Sequence, residues 1–234
     1  MKRESTEPFI SEDPRILVAN AYTENSAIAY TREKIGDDIL NFILPSSPAL
    51  FLNLALQARK QVVEICRNEL FSKKPGFEWP QNSVLLIDFF ELMMTQIIFS
   101  FSAMEAFSNI SIPDDYIYRR EKSGNRCIEE YDKDQIERYI NLNEKLINVL
   151  PKIFKVYSPA ETKEWNGYDT LQKLRDRIIH LKSSDTTPSR KVTKTIWGDL
   201  IRHQSTNFPM QAHALIGHFL EKGNEYRWFK MFPY

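Results

Sequence analysis

Glycine and proline are scarce in this chain, at 7 and 12 of 234 positions. So few turn-forming residues exclude a many-turned all-β fold and a glycine-rich phosphate cradle, and they bias the reading towards helices. Cysteine is scarcer still. Cys66 and Cys127 stand apart, with no CxxC pair and no histidine at ligand spacing, so neither a zinc site nor a disulfide framework is expected. Net charge is absent altogether, 31 Lys+Arg offsetting 31 Asp+Glu. That excludes binding of nucleic acid by overall attraction and excludes a charged disordered tail; any anion must be held locally. No apolar run follows the basic start Met1-Lys2-Arg3, so no secretory signal is read and a cytoplasmic protein with reduced thiols is expected. No metal, cofactor or membrane partner is expected.

What is present is 42% hydrophobic residues, enough to bury a core. The longest apolar run, Val84 to Met104, contains Asp88 and Glu91, each costing roughly 2.5 to 3.5 kcal/mol at a bilayer centre. A core helix fits it better than a membrane span, and a helix over 82–109 would be about 40 Å long, the axis of the domain. Around it the spacing predicts further helices. One covers 24–44 through Ile28, Ile35, Ile39, Leu40 and Ile43, one covers 49–71, and one runs from Asp132 to Leu150 with Pro151 kinking or ending it. Another starts near Gly167 or Asp169 and carries the seam Leu171, Leu174, Ile178 and Leu181. Two shorter helices are expected over 191–203 and 209–222, before an aromatic tail from Tyr226 to Tyr234. Residues 114–131 read as an irregular surface loop. The expected fold class is all-α, a helical bundle with a long central apolar helix and an N-terminal extension.

The segment Leu174-Arg175-Asp176-Arg177-Ile178-Ile179-His180-Leu181-Lys182 carries the chemistry. Taking about 100° per residue and Leu171 as zero, Arg175 falls near 40°, bordering the core, and His180 near 180°. Arg177, near 240°, is expected to face solvent. A guanidinium at the edge of an apolar face needs an anionic partner, and Glu105, in the otherwise apolar turn Ala103-Met104-Glu105-Ala106-Phe107, is the natural candidate. The bland alternative is a surface arginine and a histidine at a helix C-terminus, where an imidazolium is favourable.

A long apolar helix ending in a Glu-Ala-Phe turn, followed by Leu-Arg-Asp-x-Ile-Ile-His on a later helix, resembles the HEPN superfamily of all-α domains. Arg175, Asp176 and His180 match its Arg, polar residue and His; Asp176 stands where Asn is commoner and adds negative charge beside an expected phosphate. Glu105 resembles the polar residue many members carry on the preceding core helix. The resemblance covers about residues 50–182. It divides the chain into an extension over 1–47 packed on the bundle and a HEPN-like domain over 48–234, with additional C-terminal helices over 191–222. It implies a metal-independent endoribonuclease acting as a homodimer, in which two copies of the motif face one another. Arg175 would hold a phosphate, His180 would move the proton of the ribose 2′-OH or of the leaving oxygen, and Asp176 would orient the imidazole. Such proteins imply a defence or toxin–antitoxin setting and an antitoxin or other protein partner.

In an electroneutral chain the cations that could guide RNA are Arg119, Arg120, Lys122 and Arg126, with Tyr116 and Tyr118 interleaved, together with Lys182, Arg190, Lys191 and Lys194. His203, His213 and His218 read as helix-surface or interface residues. Two other functions remain open. One is a non-catalytic HEPN-like dimer binding a nucleotide, RNA or a protein. The other is a structural helical interaction module in which Arg175 packs against Glu105.

Overall fold

The computed structural model describes residues 13–19, 27–70, 83–121, 128–220 and 226–234. The chain is mostly helical. Small antiparallel two-stranded sheets interrupt the expected all-α pattern: β1 (Val18–Ala19) with β2 (Ala27–Ile28), β3 (Tyr30–Ile35) with β4 (Asp38–Ile43), and β5 (Tyr118–Glu121) with β6 (Ile128–Tyr131). The helix expected over 24–44 is therefore corrected, across its described part, to strand. Ile39 and Ile43 are four apart, a spacing that satisfies a helix face and, being a multiple of two, a strand face as well, while Ile35, paired with Asp38 across the turn, lies on the opposite face of the hairpin. Gly36 decides between helix and strand. It has φ +63° and opens a two-residue loop between the paired Ile35 and Asp38. Only the first loop residue needs positive φ in a type II′ turn, and glycine adopts it without strain. The hairpin projects, with Tyr30, Ile39 and Leu40 exposed.

Helix α1 (Ser47–Ile65) continues into a π turn at Cys66–Leu70, and α2 spans Ser83–Ile110. Helix α1 packs along α2, and its Ala49, Ala55 and Ala58 are buried. Helix α2 also packs against the later helices α6 (Lys163–Ile179), α8 (Ile196–Arg202) and α9 (Phe208–Gly217). Among the described residues α2 is the one helix long and apolar enough to cross a membrane. Its Phe89, Met93, Ile97, Phe101, Met104 and Phe107 are buried in the main core, each fully buried side chain contributing about 1.5–3 kcal/mol.

A second, smaller core gathers Ile112, Tyr118, Ile136, Ile140 and Val149 under the β5–β6 hairpin. Here the single helix expected from Asp132 to Leu150 is broken. Helix α3 (Lys133–Tyr139) opens on a capping box between Asp132 and Gln135 and stops where Ile140 turns extended. Asn141 then caps a new start by accepting from the Glu144 N–H, so α4 (Leu142–Glu144), a π turn (Lys145–Val149) and α5 (Leu150–Phe154) follow in a new direction.

Helix α6 begins before the expected Gly167. That glycine lies against α9, where a Cβ would meet the Gln211 side chain at 3.1 Å. The helix ends at Ile179, and His180 has φ −117° and ψ 71°. The periodicity that placed Leu181 in the core seam stops there, and Leu181 is exposed. After a short turn of helix, α7 (Ser183–Thr186), residues 191–195 form no helix, so the helix expected from 191 starts five residues later, as α8, capped by Thr195. The aromatic tail docks on its own chain. In α10 (Arg227–Met231) and beyond, Trp228 and Phe232 are buried, Phe229 and Phe232 stack on the His213 ring, and the Tyr234 hydroxyl donates to the Ala49 carbonyl.

Candidate functional site

Arg175 emerges from the core-facing edge of α6, half-buried, with its guanidinium 4.7 Å above the Phe101 ring of α2. The aromatic face satisfies the cation from one side. From the other, Nη1 donates to the carboxylate of Asp176 at 2.9 Å. The buried pairing expected with Glu105 is corrected: Glu105 is exposed, and no hydrogen bond or ion pair joins it to Arg175. One turn of α2 separates Phe101 from Glu105, and the helix turns Phe101 towards α6 while Glu105 stands at the rim. Arg175, Asp176, Phe101 and Glu105 line one side of an open cleft of about 470 Å³, and Asn143 and Asn148 line the other.

His180 lies at the C-terminal end of α6, exposed, its backbone N–H donating to the Asp176 carbonyl at 2.9 Å. The Asp176 carboxylate turns to Arg175 rather than to the imidazole, which has no hydrogen bond among the described residues. Ile179 and Leu181, on either side of His180, are exposed as well. The structure thus brings Arg175 and Asp176 together and leaves His180 on another flank of the helix.

Arg177 departs most from its sequence expectation. Instead of facing solvent it forms a bidentate bridge to Asp185, at 2.5 and 2.8 Å. The Asp185 side chain is wholly inaccessible and also accepts the backbone N–H groups of Lys182 and Ile196 at 2.8 Å each, while its carbonyl accepts the Trp197 indole N–H. The Arg177 hydrogen bonds, seconded by those backbone donors, hold the Asp185 carboxyl at about 2, well below the usual carboxylate range. Sequence reading missed this partner because Asp185 lies in a polar Ser-Ser-Asp-Thr-Thr stretch that reads as a loop.

The expected RNA-guiding cations divide. Arg119 and Arg120 are paired across the hairpin with Glu130 and Glu129, at 2.7 and 2.8 Å. Tyr118 is buried and donates its hydroxyl to Glu144, so it offers no stacking face, while Tyr116 packs half-buried against the smaller core. Lys122, Arg126 and Cys127 lie outside the described residues. Lys182, Arg190 and Lys191 are exposed, and Lys194 is 3.9 Å from Asp199. His213 is stacked in the tail, His218 contacts the Tyr157 carbonyl and His203 the Thr206 hydroxyl. Burial lowers the pKa values of His203 and His213. Among the described residues no group of three or more His, Cys, Asp or Glu is placed to hold a metal ion.

A buried lysine was also not foreseen. Lys145, in the π turn, donates to the Asn109 side chain at 2.7 Å and to the Glu137 carbonyl at 3.1 Å, and burial pushes its amine below the ordinary lysine range. Only the fold brings Asn109, at the end of α2, to it. No family model, no curated protein and no solved structure matches this chain.

Proposed function

We propose that this protein is a HEPN-like, metal-independent endoribonuclease that acts in the cytoplasm as a homodimer. The observation that carries the reading is the presence, on one helix and its C-terminal cap, of an Arg175 guanidinium open to a cleft and a solvent-exposed His180 unpartnered among the described residues. Arg175 spends one of its five N–H groups on Asp176, and the rest of the fork remains for a phosphate. In this reading the His180 imidazole takes the proton of the ribose 2′-OH as that oxygen attacks phosphorus. The 5′-oxygen leaves with a proton from an imidazolium of the second copy, and a 2′,3′-cyclic phosphate remains. The two groups stand on different flanks of α6, so one motif alone does not enclose a phosphodiester; a second copy seated over Ile179 and Leu181 would both complete the site and cover those exposed side chains.

The test is cleavage of single-stranded RNA in the presence of EDTA. His180→Ala and Arg175→Ala are each expected to lose about 10²-fold or more of the activity with the fold intact, and Leu181→Asp to lose activity together with the dimer mass. Absence of cleavage by the wild type, or full activity in His180→Ala, rejects the reading. A second reading, a non-catalytic dimer that binds RNA or nucleotide, is favoured by one observation, the Asp176 carboxylate sitting on the guanidinium. It predicts RNA binding without turnover, weakened by Arg175→Ala.

A further inference from the structure

A second cleft, of about 500 Å³, opens between the latter half of α6 and α8. Four cations line it, Lys173, Arg177, Lys182 and Lys194, against the carboxylates of Asp169 and Asp199. Both carboxylates are already engaged. Asp169 is bound by Lys173 at 2.5 Å, and Asp199 is held by Arg202, with Lys194 no nearer than 3.9 Å. Among the described residues Lys182 has no carboxylate within ion-pair distance. Positive charge is thus left over on the Lys182–Lys194 side of the cleft, in a molecule whose total charge is zero.

The cleft is organised from behind by Asp185. One buried carboxylate fixes the Arg177 guanidinium, the backbone of Lys182 and, through the N–H of Ile196, the start of α8 just after Lys194. The Arg177 guanidinium and the backbone from which Lys182 and Lys194 project are therefore set in place before any ligand arrives, which lowers the ordering cost of binding. Helical spacing also puts Lys173 and Arg177 within about 40° of one another, and His180 follows them at the C-terminal end of the same helix. We infer that the α6–α8 cleft binds a backbone phosphate of single-stranded RNA through Lys182, Lys194 and the free N–H groups of Arg177. As a guide of RNA towards His180 it rests on the ribonuclease reading; as a phosphate site it stands on its own cations.

The probe is a short fluorescent RNA, 2′-O-methylated so that it has no nucleophile and cannot be cut, with binding followed by anisotropy over a range of salt. Lys182→Gln with Lys194→Gln is expected to weaken binding about tenfold at low salt and to reduce the salt slope by about 1 to 2, relative to Lys60→Gln on the exposed side of α1. Inorganic phosphate is expected to compete only at millimolar concentration. An unchanged affinity and slope in the double variant, or no binding by the wild type, overturns the inference. The two ideas fail separately. Loss of binding in the double variant of a protein that never cleaves RNA keeps the cleft and removes the nuclease, whereas cleavage that needs His180 but not Lys182 and Lys194 does the reverse.

Discussion

At Asp185 one carboxylate accepts four hydrogen bonds, two from Arg177 and one each from the backbone N–H groups of Lys182 and Ile196. Its carboxyl is held at about 2 in the fold, against 3.8 ordinarily. Between those values the unfolded chain binds more protons than the folded one, so stability from this group is complete above about pH 4 and is lost as pH falls through about 2. Asparagine offers one oxygen where four donors converge and turns an N–H₂ against the rest. Asp185→Asn is expected to melt at lower temperature than the wild type at pH 7 and to flatten the change in melting temperature between pH 4 and pH 2. Thermal melts across that range check it. At Arg175, by contrast, the helical angle computed from sequence agrees with its half-buried place at the core edge. Its companion was misjudged, because nothing in the spacing distinguishes a carboxylate across a helix interface from the adjacent Asp176.

Elements were most legible where hydrophobic runs were long. Helix α2 occupies Ser83–Ile110 against an expectation of 82–109. Its apolar length admits no strand reading. Short elements were decided by single residues: Gly36 made a hairpin of four-spaced isoleucines, Asn141 cut a helix in two, and the departure of His180 from helical geometry released Leu181 from the seam. Alanine at position 36 would meet no neighbour within 4 Å, so its cost is backbone strain alone, about 1–2 kcal/mol. Because the hairpin projects from the core, Gly36→Ala is expected to speed amide exchange within β3 and β4 while leaving exchange in α2 unchanged. Equal acceleration in both would mean that the hairpin and the core unfold together.

Across the whole molecule, segments distant in sequence close the core. Trp228 and Phe232 from the C-terminal end are buried with Leu52, Phe89 and Leu215, and Tyr234 reaches back to α1. Trp228→Ala is expected to cost about 3–5 kcal/mol in urea unfolding, with the slope against denaturant kept, since it leaves a cavity in a core that helices on several sides hold open. A much smaller cost would place the tail outside the cooperative unit.

Helical character, the long apolar α2, the position of the Arg175–His180 motif at the end of α6 and the need to hold any anion locally were all determined by the sequence. Composition and periodicity act within a few turns of chain. What faces Arg177, what surrounds Lys145, whether Glu105 is buried and where the leftover cations gather were decided only by tertiary structure. Electrostatic partners meet across 8 to 36 residues of sequence here, and no local pattern encodes such meetings. Zero net charge is the clearest case: it leaves the RNA reading to a handful of aimed cations, and only the packing of α6 against α8 brings Lys182 and Lys194 to the same cleft.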